Sequence, residues 1–469
     1  MRRHWKDSAR SCIFFPPALK SLCDSPDQRA RPERATYSAG LLRTAMLVWM
    51  LTGGASCDAF GAFIDNRRVA ETVSRLAAGL GYAPYMNDDR QYVLPGIDLL
   101  RLEMERLPSE CLQNALEKAF CTVLSGGCLR QLEIDGKLLL AIDGTDGFSS
   151  SMEIKRLLSR TSGNTKRYYA KMLVASVVAP GVGGGLPAGA QSIENSGDYD
   201  SCGSAKQKQA CEQATLPVLL KRLNAYCPLN RCILLLDGLY MNGVVIRLLN
   251  GYGCGYLITL KDDALDNFHC AVEANLAEHG CEYTCEDREC TGGREVVLKY
   301  DISWLNGLQY DFGGTHTPPV NYLSVIVRKY EDGVRRDMMK FAWVTNVSLS
   351  SGMIPLIQMT ARRRWGIETQ NCGQKHQGMN LTHKYDSRGN APANFMYLAQ
   401  MADLIRKILL YSDIYDRKAK DAESNPVPGT KKVSARAKKN KAAQEETVNK
   451  VNEKEMFAQE ENAQEQTVQ

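Results

Sequence analysis

Two short apolar runs constrain this chain more than anything else in it. Leu138-Leu139-Leu140-Ala141-Ile142 follows Lys137, and Ile233-Leu234-Leu235-Leu236 follows Cys232. Strands with one wet face alternate apolar and polar residues, whereas strands buried on both faces read as continuous apolar runs. These two runs therefore predict central strands of a sheet that helices must cover on both sides. Each ends in the same pair of residues, Asp143-Gly144 and Asp237-Gly238.

The segments around them supply the rest of an α/β domain. Tyr168–Val178 and Ala188–Ile193 read as further strands, joined through Pro180-Gly-Val-Gly-Gly-Gly-Leu-Pro187. That glycine run lacks the Gly-Lys-Ser/Thr ending of a phosphate-binding loop, so it reads as a flexible hairpin turn. Residues 204–226 have helical periodicity, with Pro217 predicting a kink or split. Met241–Leu249 reads as a helix and Gly255–Leu260 as a strand. Strand, strand, strand, helix, strand, helix, strand is a mixed α/β order with a covered central sheet.

Changes in pattern divide the chain into six regions. Residues 1–40 are rich in Arg, Pro and Ser and read as a loose segment. Residues 41–132 carry helical spacing at Val69, Val73 and Ala77 and again at Leu112, Leu116 and Phe120, which predicts a small helical domain. Arg67, Arg68, Arg75 and Arg90 in it are candidates for phosphate contact or for plain solvation. The first part of the α/β core spans 133–260. A β-rich insertion covers 261–346, with strands at Glu295–Tyr300, Tyr322–Arg328 and Phe341–Thr345. Residues 347–416 complete the core and end in a long apolar helix over Phe395–Tyr411. Residues 417–469 turn Lys-rich and then Glu- and Gln-rich, a composition too poor in large apolar residues to fold.

A chain of 469 residues, 44% hydrophobic and 24% charged, has ordinary globular composition, and its net charge of +5 permits a polyanionic partner without arguing for one. The charged first residues do not resemble a secretory leader, and the apolar run Ala45–Leu51 is far too short to span a membrane. The sixteen cysteines are therefore expected to be reduced and cytosolic. Cys281, Cys285 and Cys290 cluster near His279 but contain no Cys-x-x-Cys pair, which argues against zinc.

Chemistry is expected at the two strand ends. An aspartate at the carboxyl end of a central strand stands where open α/β sheets place ligands. A lone one is commonly a turn former or helix cap. A third carboxylate comes from Thr360–Lys375, which no proline interrupts and which reads as one helix with Arg364, Glu368, Cys372 and Lys375 along one face. By themselves these side chains also suit a solvated ladder of ion pairs. Unit charges 4 Å apart repel by about 4 kcal/mol at an effective dielectric near 20, so three gathered carboxylates call for a divalent cation. Sites with paired Mg²⁺ ions about 3.5–4 Å apart carry out phosphodiester hydrolysis and strand transfer. Asp146 competes with Asp143 for such a role, and Asp143 is preferred because it directly follows the apolar run.

In these residues the chain resembles a family. Asp143-Gly-Thr and Leu236-Asp237-Gly after apolar runs, with Arg364-x3-Glu368-x6-Lys375, look like the DDE transposases of bacterial insertion sequences, in the insertion-sequence-four class. Phe148-Ser149-Ser150, Tyr168-Tyr169-x-Lys171, Asn242-x4-Arg247, Gln377-Gly378 and His383-x-Tyr385 agree with it. The match covers roughly 95–411, and Ala361 stands where the signature has tyrosine. The resemblance implies a ribonuclease-H-like core with a β-rich insertion. It implies Asp143, Asp237 and Glu368 as catalytic metal ligands, two Mg²⁺ ions replaceable by Mn²⁺, and Arg364 and Lys375 as DNA contacts. It further implies double-stranded DNA as partner (transposon ends and target), a homodimer in the synaptic complex, and a bacterial cytoplasmic location without membrane association. Glu212 resembles a recurrent position and has no chemical role assigned. Trp365 suits either core packing or base stacking. The expected activity is cut-and-paste transposition; the alternatives are an inactive DNA-binding derivative and a metal-dependent nuclease without strand transfer.

Overall fold

A computed structural model describes residues 16–53, 59–127, 129–162, 165–179, 182–195, 204–261, 265–291, 294–352 and 354–410. Residues 1–15 of the segment expected to be loose, Pro180 and Gly181 of the glycine run, and the whole charged tail lie outside these ranges. The chain divides into two compact units, and the elements of the fold belong to the larger one, Phe14–Lys407.

The two apolar runs are strands at the centre of a mixed sheet. β1 (Leu138–Ser150) and β5 (Cys232–Leu236) pair in parallel from Leu138↔Cys232 to Ile142↔Leu236. β6 (Gly255–Thr259) continues in parallel beside β5. On its other side β1 pairs antiparallel with β3 (Thr165–Val177). One edge of β3 is shared end to end by β2 (Leu158–Ser162) and β4 (Leu186–Ile193). Leu139, Leu140, Ala141, Ile142, Leu234 and Leu236 have no solvent exposure. Burial stabilises each such large aliphatic side chain by about 1.5–3 kcal/mol, which holds these strands in the interior. The sheet is thus mixed, with parallel pairs at its centre and antiparallel pairs to either side.

Two expectations need correction, on the end of β1 and on Pro217. β1 does not stop at Ile142; only its parallel pairing does, and the strand runs on to Ser150 along β3 because β3 still offers backbone partners there. The strands expected in 261–346 extend the core sheet. β10 (Val334–Thr345) pairs with β6 through Trp343↔Thr259, so β9 (Val320–Glu331), β8 (Arg294–Leu308) and β7 (Cys281–Thr291) extend the same sheet outward. Pro217 does not split its helix, which is continuous from Ser204 to Tyr226.

Helices α1 (Pro16–Cys23), α2 (Ala39–Leu51), α3 (Ala59–Ile64), α4 (Arg67–Gly79), α5 (Ile97–Arg106) and α6 (Ser109–Ser125) precede the sheet. Arg43 of α2 is fully buried, pairs with Glu103 of α5 at 2.7 Å and donates to the carbonyls of Leu22, Cys23 and Pro26. These helices pack into the sheet assembly. Gln113 of α6 donates to the Ala190 carbonyl of β4, and Trp49 stacks edge-on to Tyr385 and Phe395. α7 (Ser204–Tyr226) lies against β3 and β4, α8 (Gly243–Gly251) links β5 to β6, and α9 (Asp266–His279) precedes β7. The chain ends its described part with α10 (Ile354–Arg362), α11 (Trp365–His376) and α12 (Ala391–Leu410). Among the described residues no helix is long and apolar enough to cross a membrane.

Candidate active site

The parallel register of β1 and β5 places the two aspartates. Their last paired residues are Ile142 and Leu236, so Asp143 and Asp237 each come directly after the final rung, Asp143 on the β1 extension and Asp237 in the turn after β5. Both are half-buried. Asp237 also caps the short turn Gly238–Tyr240 by accepting a hydrogen bond from the Gly238 N–H. The bland role of a strand-end aspartate is thus present as well, and it fixes the start of that turn.

Glu368 lies on α11, the helix whose Asn371 touches Asp143. The expected single helix over Thr360–Lys375 is broken: α10 ends at Arg362 and α11 begins at Trp365. Between them the N–H groups of Arg363, Arg364, Gly366 and Ile367 bond three residues back, the tighter 3₁₀ spacing. The break lets Gly366 approach β3's end, where a side chain would meet Val178 at 3.0 Å. Arg364 and Glu368 still pair, at 2.8 Å, and the Arg364 guanidinium lies 5.7 Å over the Trp365 ring. One turn after Glu368, the Asn371 amide donates to Asp143 Oδ2 at 3.3 Å. That bond brings the Glu368 helix onto the strand carrying Asp143.

The seat of α11 is built from residues that sequence patterns did not single out. A Cβ at Gly184 would lie 3.4 Å from the Gln370 backbone, and one at Gly185 would meet the Gln370 side chain at 2.7 Å. The end of the glycine run is therefore the surface on which α11 rests, besides being a turn. Behind it Gln370 and Gln374 bond Gln400 of α12, Gln374 also bonds Asp403, and Lys407 ties Asp403 to the Gly185 carbonyl. Amides spaced four apart on a helix at most hint at this, because their partners lie on another helix.

Asp146 and Asp143 face opposite sides of β1, as residues an odd number apart in a strand do. Asp146 accepts from Lys171 at 3.2 Å and lies 3.6 Å from Arg160. Lys171, almost fully buried, also pairs with Glu212 of α7 at 2.9 Å. Burial works against its charge, but Glu212 and Asp146 outweigh it and hold the ammonium above the ordinary lysine range. Glu212 in turn accepts from the Tyr240 hydroxyl at 3.3 Å. Burial first, then the charge of Glu212, pushes that phenol well up, so it stays a donor.

The remaining expected residues are dispersed. Lys375 is partly exposed on α11, a little under two turns beyond Glu368. His383 stacks edge-on to Tyr385, which is buried against Phe395 and donates to the Met379 carbonyl, so the pair braces the loop after α11. Arg67, Arg68 and Arg90 are exposed, and Arg75 pairs with Glu71. Cys281 and Cys285 lie on β7, and the Cys290 side chain is outside the described residues. The described cysteines are free thiols.

Among the described residues no three His, Cys, Asp or Glu side chains are gathered closely enough to hold a metal ion. Glu368 pairs with Arg364 at 2.8 Å. The donor chemistry suits Mg²⁺: two half-buried aspartates directly follow the last rung between β1 and β5, and on the helix bonded to Asp143 the buried Asn371 Oδ1 lacks any hydrogen-bond donor.

No family model matches the chain, and no curated protein matches it. Among solved structures, the piggyBac transposase in its synaptic complex with hairpin DNA, determined by cryo-EM, is similar to it. The two share 10% identity and a TM-score of 0.31, over 93% of this chain and 83% of that one. So slight a likeness carries no inference about residues or chemistry.

Proposed function

We propose that this protein is a DNA transposase of the DDE type with a ribonuclease-H-like core. It binds terminal inverted repeats, cleaves the strand at each end, and joins the freed 3′-hydroxyls to target DNA as a dimer. The observation that supports the reading is the β1–β5 register, whose last rung, Ile142↔Leu236, immediately precedes both aspartates, with Asn371 of the Glu368 helix bonded to Asp143. Asp143, Asp237 and Glu368 would hold two Mg²⁺ ions. When bound, these supply an activated water or 3′-hydroxyl and stabilise the leaving oxygen. Arg364 offers a guanidinium fork to a DNA-end phosphate once Glu368 releases it, and Lys375 adds a point charge about two turns beyond Glu368 along the helix. Replacing Asp237 with alanine is expected to abolish Mg²⁺-dependent cutting of an end-bearing duplex while leaving its binding intact in a gel-shift assay. Undiminished cutting would end the proposal.

The Arg364–Glu368 ion pair favours one second reading, an inactive derivative that keeps DNA binding alone. Titration calorimetry separates the two, because such a derivative has no use for Mg²⁺ at these carboxylates.

A further inference from the structure

The backbone ladder between β1 and β5 ends at Ile142↔Leu236, one residue short of the aspartates. Beyond it Asp143 belongs to the β1 extension and Asp237 to the turn Gly238–Tyr240, past the last rung that joins the two strands. Side chains make that join instead. Tyr240, in the turn, donates to Glu212; Glu212 pairs with Lys171; and Lys171 donates to Asp146, three residues past Asp143 on the extension. Lys171, Glu212 and Tyr240 are all nearly inaccessible, at 4%, 1% and 0% exposure, where such a chain of charged and polar groups is rigid and costly to leave incomplete.

Gly144 makes room for it. A Cβ there would lie 2.4 Å from Glu212 Oε1, so the residue beside Asp143 has to lack a side chain for Glu212 to reach Lys171. None of these groups is directed at a reacting atom, and their charges are committed to one another.

We propose that Lys171, Glu212 and Tyr240 are positioning residues that fix the separation of Asp143 and Asp237, and so set the affinity of the cation the two aspartates share. The proposal rests on the catalytic reading of those aspartates. Outer-shell groups of this kind typically change metal affinity by about 10–100-fold when removed.

The test uses the full chain, with Mn²⁺ as probe in titration calorimetry and Mg²⁺ dependence of strand cleavage as second measurement. Lys171→Met alone would strand Glu212 as an unpaired buried charge. The double variant Lys171→Met/Glu212→Gln removes both charges and is expected to keep the native melting transition. It should bind Mn²⁺ about 10–100-fold more weakly than wild type and need correspondingly more Mg²⁺. Tyr240→Phe, which loses only a hydroxyl, should shift both in the same direction by less. It decides the matter if the double variant does not fold. Wild-type Mn²⁺ affinity in the folded variants, with Asp237→Asn abolishing binding, overturns the positioning role alone. No Mn²⁺ binding by wild type, or no effect of Asp237→Asn, overturns the catalytic reading and this inference with it.

Discussion

Two single residues near the site make separate demands. Gly144 is required for space, so Gly144→Ala should destabilise the protein by about 1–3 kcal/mol through overpacking against Glu212, read as a lower melting temperature. Asn371 is required for neutrality. Asn371→Asp would set a new carboxylate against Asp143, so the variant should melt below wild type without divalent ions and regain more on adding Mn²⁺ than wild type does. Scanning fluorimetry with and without MnCl₂ checks both halves. A metal-independent loss would show that Asn371 is only a packing residue.

Asp143 and Asp237 were legible in the sequence because an acidic residue ending an apolar run is a local pattern. Asn371 was not, and Glu212 was noted only through the family resemblance, with no role. Glu212 lies on a helix whose next residues look like any amphipathic surface, and its meaning comes from Lys171 and Tyr240, which are distant in the chain and join it only after the sheet has formed.

Among the elements, α11 depends on the loop that leads from it to α12. That loop is pinned by Asp386, nearly buried, which accepts from Arg388 at 2.6 Å and from Arg101 of α5 at 3.2 Å. Burial alone would raise the Asp386 carboxyl, but the Arg388 hydrogen bonds and the Arg101 charge outweigh it and hold it below the usual range. A depressed folded-state pKa stabilises above the unfolded value, about 4, and the stabilisation is lost as pH falls through the folded one. Asp386→Asn should therefore cost about 1.5–3 kcal/mol at neutral pH, shrinking towards zero in strong acid. Urea melts of both proteins at pH 7 and pH 2.5 measure the difference. The 3₁₀ break before α11 is invisible in the sequence, since Thr360–Lys375 contains no helix breaker except glycine. At the break Gly366 comes close to Val178, a residue distant in the chain.

At the scale of the molecule, α1–α6 interlock with the sheet and with α12. Asn394 donates to the carbonyls of Met104 and Leu107, Arg222 pairs with Glu117, and Trp49 packs on Phe395. Loss of helical circular dichroism and the change in tryptophan fluorescence should then coincide in one denaturant transition, as in a single cooperative unit. An early, separate transition of the helical segment would instead mark residues 41–132 as an independent domain. By itself the sequence determined that a buried sheet exists, which runs are its central strands, and that two of them end in aspartate, because burial of unbroken apolar runs is a local demand that few folds can meet. Only the tertiary structure decided that both aspartates follow one parallel rung, Ile142↔Leu236, that later strands extend the same sheet, and which buried partners hold the corner together. Register, close approach and the pairing of buried charges depend on groups that share no stretch of chain and meet only when it is folded.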